Sequence, residues 1–404
     1  MPFMLYLLAC AVCAMGTSEF MLAGLLPAIA SDLGVTMGAA GVLTSGFAVG
    51  MAVGAPLMAG WTRRWAPRLT LLWCLLVFAC CHVLAAITTD YSILLTTRVV
   101  SALANAGFLA VALGLATQLV PADRKGRALS ILLSGTTIAM VAGVPAGALI
   151  GTALGWRATF WCVAGLCLLV TAGLARGWSK HAAVAASSTT TSLGAELRQL
   201  RSPGLLGPML LGALVNGATF AALTYLAPIV TEVSGLAEGL VAVVLMLFGA
   251  GSFVGVAIAG RLADQRPGLL LGVGGPLLLG GWIALALVAS SPALLLTFAF
   301  VQGVLAFGVG SAVITRVLYG ASEAPTMGGS YATAALNTGA AAGPVCGALG
   351  LAEAGALGGV WVAVAGTAGA GLVAVLSWPT LTSPSPGHAP RQLVEPDPRR
   401  RIRG

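Results

Sequence analysis

The feature that most constrains this chain is a series of long apolar segments separated by short polar connections. Each segment comes close to the ~20 residues that a helix needs to cross ~30 Å of hydrocarbon. Across 404 residues, 58% are apolar and only 8% are charged, whereas a soluble domain carries about 25% charged residues. The sequence therefore predicts an all-α integral membrane protein with twelve spans, at 3–30, 39–60, 69–88, 93–119, 128–151, 157–176, 205–231, 238–262, 268–290, 292–317, 326–352 and 356–378.

The positive charges predict the orientation of these spans. If the N-terminus is cytoplasmic, every Lys and Arg except Arg98 and Arg157 lies at a cytoplasmic connection or in the C-terminal tail. This distribution follows the positive-inside rule, so we expect both termini in the cytoplasm. We expect the first segment to remain as a span, because it is too long for a signal peptide and lacks a basic start. The net charge of +8 then reflects topology and contact with anionic lipid, not a nucleic-acid surface.

The spans divide into two related halves. At an offset of about 200 residues, Gly16 and Pro27 match Gly217 and Pro228, and similar pairs recur in later spans. Halves of this kind are typical of transporters that bind substrate near the membrane midplane, between the repeats. We predict two pseudo-symmetric six-helix halves, at 1–176 and 205–378, with a cytoplasmic linker at 177–204 and a disordered cytoplasmic tail at 379–404.

Two charged residues lie deep within the predicted spans, Glu19 in span 1 and Arg98 in span 4. A charge at the bilayer centre is costly and by default indicates a functional site with a partner. Glu19 lies about 10 residues below the predicted outer surface and Arg98 about 6, a difference in depth of roughly 6 Å at 1.5 Å per residue. This distance is within the reach of an arginine side chain, so we expect the two residues to pair. Burial favours the neutral acid and Arg98 favours the carboxylate, a balance suited to proton binding. A static ion pair that locks two helices is the alternative.

Neutral polar side chains lie at similar depths. Ser101 and Asn105 follow Arg98 at i+3 and i+7, on the same face of span 4. In the second half, Phe220 and Phe298 stand where the first has Glu19 and Arg98, so we expect proton handling in the first half only. An uncharged, partly apolar substrate suits such a cavity. The predicted cavity residues are Ser101, Asn105, Asn216, Thr219, Tyr225, Gln302, Tyr331 and Asn337.

Spans 5 and 11 each place a proline among glycines. A proline inside a helix removes a hydrogen bond and bends the helix, and glycines permit close contact between helices. The sequence contains no GxxxxGK[ST] phosphate-binding loop and no hydrolase motif, so we expect neither an enzyme nor a bound cofactor, and active transport would need an ion gradient. The eight cysteines all lie within apolar segments, so no metal site is indicated.

These motifs resemble those of the major facilitator superfamily. Gly143, Pro145, Gly147 and Gly151 in span 5 resemble its antiporter motif, and Leu95-Thr-Thr-Arg98 with Asn105-Ala-Gly107 resembles its span 4 arginine motif. Gly260-Arg-Leu-Ala-Asp264 resembles its loop gating motif, whereas the first copy, Gly60-Trp-Thr-Arg-Arg64, has arginine where aspartate is expected. More narrowly, Gly16-Thr-Ser-Glu19-Phe20 and Gly24-Leu-Leu-Pro27, with 104–114 and 216–220, resemble the chloramphenicol efflux proteins among the twelve-span drug:proton antiporters.

The resemblance implies proton-coupled export of chloramphenicol or a similar neutral amphipathic drug across the bacterial inner membrane. Glu19 and Arg98 match the coupling acid and arginine of that family. It implies a monomer whose partners are the drug, protons and membrane lipid. Two alternatives stay open: an exporter of a sugar, nucleoside or endogenous metabolite, and a transport-inactive receptor or scaffold with the same fold.

Overall fold

The computed structural model describes residues 3–61, 65–121, 125–177, 198–262, 267–321, 324 and 327–382, and these residues form helices joined by short connections. The predicted linker at 177–204 and tail at 379–404 lie mostly outside the described residues, as does Asp264 of the loop motif. Span 1 contains the helices Phe3–Phe20 and Leu26–Leu33, and span 5 contains Lys125–Ile138 and Val144–Leu154. Spans 2, 3, 4 and 6 are the single helices Met37–Trp61, Pro67–Ile87, Tyr91–Gln118 and Trp156–Gly177. Spans 7 to 12 contain Pro203–Thr224 and Leu226–Pro228, Leu240–Leu262, Pro267–Val288, Pro292–Gly320, Gly328–Ala354 and Gly358–Leu376, followed by the short helix Trp378–Thr382.

Twelve membrane crossings follow from these helices. Within the described residues, 11 segments are long and apolar enough to span a membrane, and the last of them, Gly328–Leu376, has 49 residues. A single helix of that length would measure roughly 74 Å, more than twice the hydrocarbon thickness. The segment is in fact two helices separated by the 3₁₀ turn Gly355–Leu357, where Gly355 adopts a φ of 61°. The all-α, twelve-span prediction is therefore confirmed.

Prolines interrupt spans 1, 5 and 7, which the sequence predicts as continuous segments. Pro27 follows a 3₁₀ turn at Met21–Gly24, and Pro228 follows a break at Tyr225. Pro145 follows a π-helical turn at Ala139–Gly143. Proline has no N–H and its ring crowds the carbonyl four residues earlier, which favours a change in helix winding just before it. Pro344 in span 11 instead lies inside the continuous helix Gly328–Ala354.

Glycines bring spans 2 and 4 into backbone contact. A Cβ atom built on Gly50 would lie 2.5 Å from the carbonyl oxygen of Val99 and 2.6 Å from the Cβ of Ala102. In the second half, Gly251 and Gly255 of span 8 meet the backbone of span 10 in the same way. These contacts fix the depth of span 4, and with it the position of Arg98.

A polar clamp joins three connections at the predicted outer face of the first half. Arg157, at the start of span 6, pairs with Asp32, which follows span 1, and donates from Nη2 to the carbonyl oxygen of Thr88 after span 3, at 3.1 Å. Trp156 adds a hydrogen bond from Nε1 to Oδ2 of Asp32 at 3.2 Å. These contacts explain why Arg157 can lie away from the predicted cytoplasmic face.

We predict that Gly50→Ala destabilises the protein. Since the new methyl group would meet backbone atoms of span 4, the two spans must separate, and we expect a loss of about 1–3 kcal/mol in the free energy of unfolding. This loss exceeds the gain in helix propensity of up to about 1 kcal/mol. Thermal unfolding of detergent-solubilised protein measures it. Gly165→Ala is the control, because nothing lies within 4 Å of its new methyl group; equal unfolding temperatures for both variants would contradict the prediction.

We also predict a pH-dependent contribution from Asp32. The hydrogen bond from Arg157 lowers the pKa of Asp32 below its ordinary value of 3.8. A carboxylate with a lowered folded pKa stabilises the protein above its unfolded pKa, and this stabilisation disappears as the pH falls through the folded pKa. Asp32→Asn should therefore cost about 0.2–1 kcal/mol at neutral pH, and the difference from the parent should shrink below pH ~4.

Unfolding curves of the purified protein at several pH values test the contribution of Asp32. Glu353→Gln removes an exposed carboxylate near the same predicted face and is the control. A deficit of Asp32→Asn that stays constant down to pH ~3 would show that the ion pair is not its source.

Candidate functional site

The buried guanidinium of Arg98 joins three spans. Its side chain is 1% exposed. Nη1 donates to the hydroxyl of Ser18 at 2.7 Å and Nη2 donates to the carbonyl oxygen of the same residue at 2.9 Å. Ser18 lies in the last turn of the helix Phe3–Phe20, where carbonyl groups need partners from outside the helix. The guanidinium also lies 4.5 Å from the ring centre of Phe47 in span 2, a cation–π contact.

His82 of span 3 extends this network, although the positions of the charged residues do not predict it. Its Nε2 lies 2.7 Å from the Ser18 hydroxyl and its Nδ1 lies 2.7 Å from the carbonyl oxygen of Phe78. The imidazole ring stacks on Phe78 with ring centres 4.3 Å apart and packs against Phe160 of span 6 at 5.6 Å. A histidine inside a predicted span was the available indication, because a polar ring within the membrane needs partners.

The direct pairing of Glu19 with Arg98 requires correction. Among the described residues no ion pair joins the two side chains, although they lie close enough to interact electrostatically. The two terminal nitrogens of Arg98 bind Ser18 instead. Successive residues of a helix point about 100° apart, so when Ser18 faces spans 3 and 4 its neighbour turns away from them. The sequence shows the depth of each charge but not this rotation.

The rotation of span 1 directs Glu19 toward the boundary between the halves. Ser18 faces the interior of the first half, whereas Phe20 contacts Phe220 of the second half with ring centres 5.8 Å apart. Glu19 lies between these two directions and remains partly accessible. Within the part of the chain that the structure describes, no hydrogen-bond donor contacts its carboxylate. The site therefore contains a fixed, buried cation beside a carboxylate without a direct partner.

The other predicted cavity residues divide into three groups. Ser101 and Asn105 are buried below Arg98, and the Ser101 hydroxyl donates to the Arg98 carbonyl oxygen at 2.9 Å. Asn216 and Asn337 both bond to carbonyl groups of span 11: Asn216 Nδ2 donates to Leu336 at 2.8 Å and Asn337 Nδ2 donates to Thr333 at 3.0 Å. The remaining four, Thr219, Tyr225, Gln302 and Tyr331, are buried in the second half. The first three donate hydrogen bonds to the carbonyl groups of Val215, Pro344 and Leu278, respectively. Tyr331 packs in one cluster with Ala59.

Gln302 lies inside the second half, away from the boundary with the first. It contacts span 9 and lines a small apolar cavity of about 20 Å³ with Trp282 and Phe248. A larger apolar cavity of about 330 Å³ lies among spans 7, 9, 10 and 12, between Leu278, Val309 and Trp378. A cavity of about 50 Å³ lies between the two halves at the predicted outer face and is lined by Gly24, Pro27 and Glu238 among others.

Spans 2 and 11 close the boundary between the halves at both ends. At the predicted outer face, a Cβ on Gly38 would lie 3.1 Å from the Cβ of Ala348. At the opposite end, Ala59 of span 2 packs in one cluster with Met327 and Tyr331. Tyr225 reinforces the outer contact, because its hydroxyl donates to the Pro344 carbonyl at 2.8 Å and lies directly against Gly41.

The glycines of the predicted antiporter motif lie along span 1. Gly143 faces Thr17, Gly147 faces Met21 and Gly151 faces Leu25, so one side of span 5 packs against span 1 on both sides of Glu19. Pro145 follows the π-helical turn that precedes this contact. Gly260, of the predicted loop motif, lies near the membrane face, and a methyl group added to it would have no neighbour within 4 Å among the described residues.

The sequence profile of the Major Facilitator Superfamily matches residues 8–344. The chain belongs to this superfamily. The superfamily architecture accounts for the twelve crossings, and the protein is a multi-pass membrane protein. A bacterial homologue of the human lysosomal transporter Spinster, solved in an inward-facing and occupied conformation, has the same fold: the TM-score is 0.71 at 17% identity, covering 93% of this chain and 96% of that one.

Two curated superfamily members are similar over nearly the whole chain. A chloramphenicol resistance protein of Streptomyces lividans is 58% identical over 392 residues, which cover 97% of this chain and 100% of that protein. The inner membrane transport protein YdhP of Escherichia coli K12 is 33% identical over 377 residues, which cover 92% of this chain and 94% of its own. The superfamily predicted from the motifs is therefore confirmed.

We predict that Gly38→Cys combined with Ala348→Cys forms a disulfide between the halves. The two Cβ positions lie close to the ~3.5–4.5 Å separation of a disulfide. Adding Gly41→Leu should lower the yield several-fold, because the new side chain displaces Tyr225 and separates spans 2 and 11. Gly165→Leu on span 6 is the matched control.

Cross-linking is measured after cleavage at a protease site introduced into the predicted linker, where only a disulfide keeps the halves together on a denaturing gel. Each single cysteine variant reports the background from the eight native cysteines. An unchanged yield with Gly41→Leu would mean that Tyr225 does not control this contact.

Proposed function

We propose that this protein is a proton-coupled antiporter that exports chloramphenicol or a similar neutral amphipathic drug from the cytoplasm. Its proposed location is the bacterial inner membrane, where it works as a monomer with both termini in the cytoplasm. The observation that carries the proposal is the Glu19 carboxylate, which is partly accessible at the boundary of the halves and lies near Arg98 without pairing with it. The 58% identity to a chloramphenicol resistance protein supports the choice of substrate.

Glu19 is suited to carry the proton because it has no direct ion pair to break. In the proposed cycle, a proton from the outer side neutralises Glu19 and removes its attraction to Arg98, and the drug leaves outward. Release of the proton to the cytoplasm restores the charge and favours rebinding of drug. For each proton exchanged for a neutral drug one charge crosses the membrane, so a potential of ~100 mV contributes about 2.3 kcal/mol, in addition to the pH gradient.

Neutral hydrogen-bonding groups at the boundary would recognise the drug. Asn216 and Asn337 use their amide N–H groups on span 11 carbonyls, which orients the amide oxygens as acceptors for a substrate hydroxyl or amide. Asn105 supplies a third polar side chain below Arg98. A few polar groups in apolar surroundings fit a neutral amphipathic compound better than an ion.

We predict that Glu19→Gln abolishes uphill export while retaining exchange of drug across the membrane. Glutamine resembles the protonated acid, so the cycle lacks only the step in which a proton leaves. Accumulation of labelled chloramphenicol in efflux-deficient bacteria, with and without a protonophore, measures uphill export, and counterflow in proteoliposomes measures exchange. Glu353→Gln is the matched control for loss of a carboxylate.

Three results would decide between the hypotheses. Protonophore-sensitive export by the parent that disappears in Glu19→Gln supports the proposal. Undiminished uphill export by Glu19→Gln would rule out Glu19 as the proton carrier. If the parent is present in the membrane but leaves chloramphenicol accumulation unchanged, the substrate is another compound, and labelled sugars and nucleosides are the next to be measured.

A further inference from the structure

His82 is a buried titratable group that the proposed coupling does not use. It is 2% exposed and lies within span 3, in the part nearer the predicted outer face, between the rings of Phe78 and Phe160. The other histidines, at 181 and 388, lie outside the described residues. A histidine at this depth is costly unless its two ring nitrogens have partners. Both nitrogens do have partners, and one of them belongs to the Arg98 network.

When the His82 ring is neutral, its partners fix the direction of each hydrogen bond in the network. The Phe78 carbonyl can only accept, so Nδ1 of His82 carries a proton and donates it. Arg98 can only donate, so the Ser18 oxygen accepts from Nη1. The Ser18 hydroxyl proton is then free to point at Nε2 of His82, which accepts it at 2.7 Å in the neutral ring. The order of donation runs from Arg98 to Ser18 to His82 to Phe78.

This order makes His82 the group that orients the Ser18 hydroxyl. Because the hydroxyl proton points toward the imidazole, the oxygen lone pairs face Arg98. The second contact of Arg98, with the Ser18 carbonyl at 2.9 Å, then holds the guanidinium in a two-point grip on one residue. That residue is the immediate neighbour of Glu19 in the chain, yet the grip leaves the Glu19 carboxylate without a direct ion pair among the described residues.

The surroundings of His82 supply no other group that could take over this role within the described residues. Span 4 presents Arg98, span 1 presents Ser18 with Glu19 next to it, and span 6 presents the apolar ring of Phe160. Cys81, the neighbour of His82 on span 3, is the other titratable side chain near Arg98. A proton on Nε2 would turn this acceptor into a donor, and the Ser18 hydroxyl would lose its partner beside a second cation.

We propose that His82 is a positioning residue for proton coupling: by accepting from Ser18 it keeps Arg98 on Ser18 and so keeps Glu19 out of a direct ion pair. The inference rests on the proposed role of Glu19 as proton carrier. Without the imidazole acceptor, the Ser18 hydroxyl proton can rotate toward Arg98, and the oxygen then accepts less well from the guanidinium. One terminal nitrogen of Arg98 then donates to the carboxylate of Glu19 instead, and the direct ion pair favours the deprotonated form of Glu19.

The test measures the protonation of Glu19 directly, without a drug. A hydrophobic carbodiimide reacts with protonated carboxyl groups in apolar sites, so mass spectrometry of Glu19 labelling against pH gives the midpoint of its titration in the purified protein. His82→Leu and Ser18→Ala each remove one side of the Ser18–His82 bond. We expect both to move the midpoint down by about one to three pH units, as a direct ion pair does.

Two further variants separate positioning from packing. His82→Gln retains an amide oxygen that can accept from Ser18, so its midpoint should stay near that of the parent. Phe160→Leu removes a ring that packs on His82 but has no hydrogen bond in the network, so it should lower the unfolding temperature without moving the midpoint. If His82→Leu does not fold, His82→Phe, which keeps a ring stacked on Phe78 but offers no acceptor, decides the question.

A parental midpoint in His82→Leu, or in His82→Phe if His82→Leu does not fold, would overturn the inference and leave His82 as a packing residue, whatever the result for Ser18→Ala. The outcome is independent of the substrate. A shifted midpoint in a protein that leaves chloramphenicol accumulation unchanged would uphold the positioning role while the proposed substrate fails. In a protein that exports chloramphenicol, the same variants should lose uphill export severalfold at neutral pH, keep counterflow, and regain export as the outer pH falls.

Discussion

The two-point attachment of Arg98 to Ser18 is the interaction on which the rest of this structure depends. A guanidinium enclosed by apolar helices is tolerated only where fixed acceptors replace its water. Here the hydroxyl and carbonyl of one residue in the last turn of a helix supply both acceptors, and the ring of Phe47 covers one face of the cation. Spans 1, 2 and 4 must therefore meet at one depth, and the glycines of span 2 allow them to do so.

The network also separates the fixed positive charge of Arg98 from the protonation of Glu19, which a direct ion pair would combine. A buried pair is costly to form and costly to break, which suits a lock better than a carrier. Binding Arg98 to neutral oxygens leaves its charge in place as a constant field, and the carboxylate can change its protonation state without moving a partner. The second half has Phe220 and Phe298 at the corresponding positions, and Phe220 serves as a contact surface for Phe20. In the proposed mechanism, proton coupling therefore belongs to the first half, and the second half supplies a contact surface.

Much of the fold could be predicted from the sequence because hydropathy and proline positions act locally. The twelve spans agree with the helices to within a few residues at most ends, and the depths of Glu19 and Arg98 follow from counting. Contacts that depend on how each helix is rotated could not be predicted. Ser18, not Glu19, faces Arg98, and Gln302 faces span 9 within its own half. His82 was not predicted because it carries no formal charge, although its position within a span distinguishes it from the other two histidines.

The contacts of Arg157 with Asp32 and Thr88 anchor the outer end of span 1, so a tilt of the span displaces its other residues around that point. Asp32 lies 13 positions beyond Glu19 in the chain, so the carboxylate is at the end of an arm of roughly 20 Å. A tilt of about 10° around that anchor displaces Glu19 by roughly 3 Å, which is comparable to the length of one ion-pair contact. Because Ser18 moves together with Glu19, a rocking of this size would break the 2.7 Å and 2.9 Å contacts between Arg98 and Ser18, while the contacts of Asp32 at the predicted outer face remain intact.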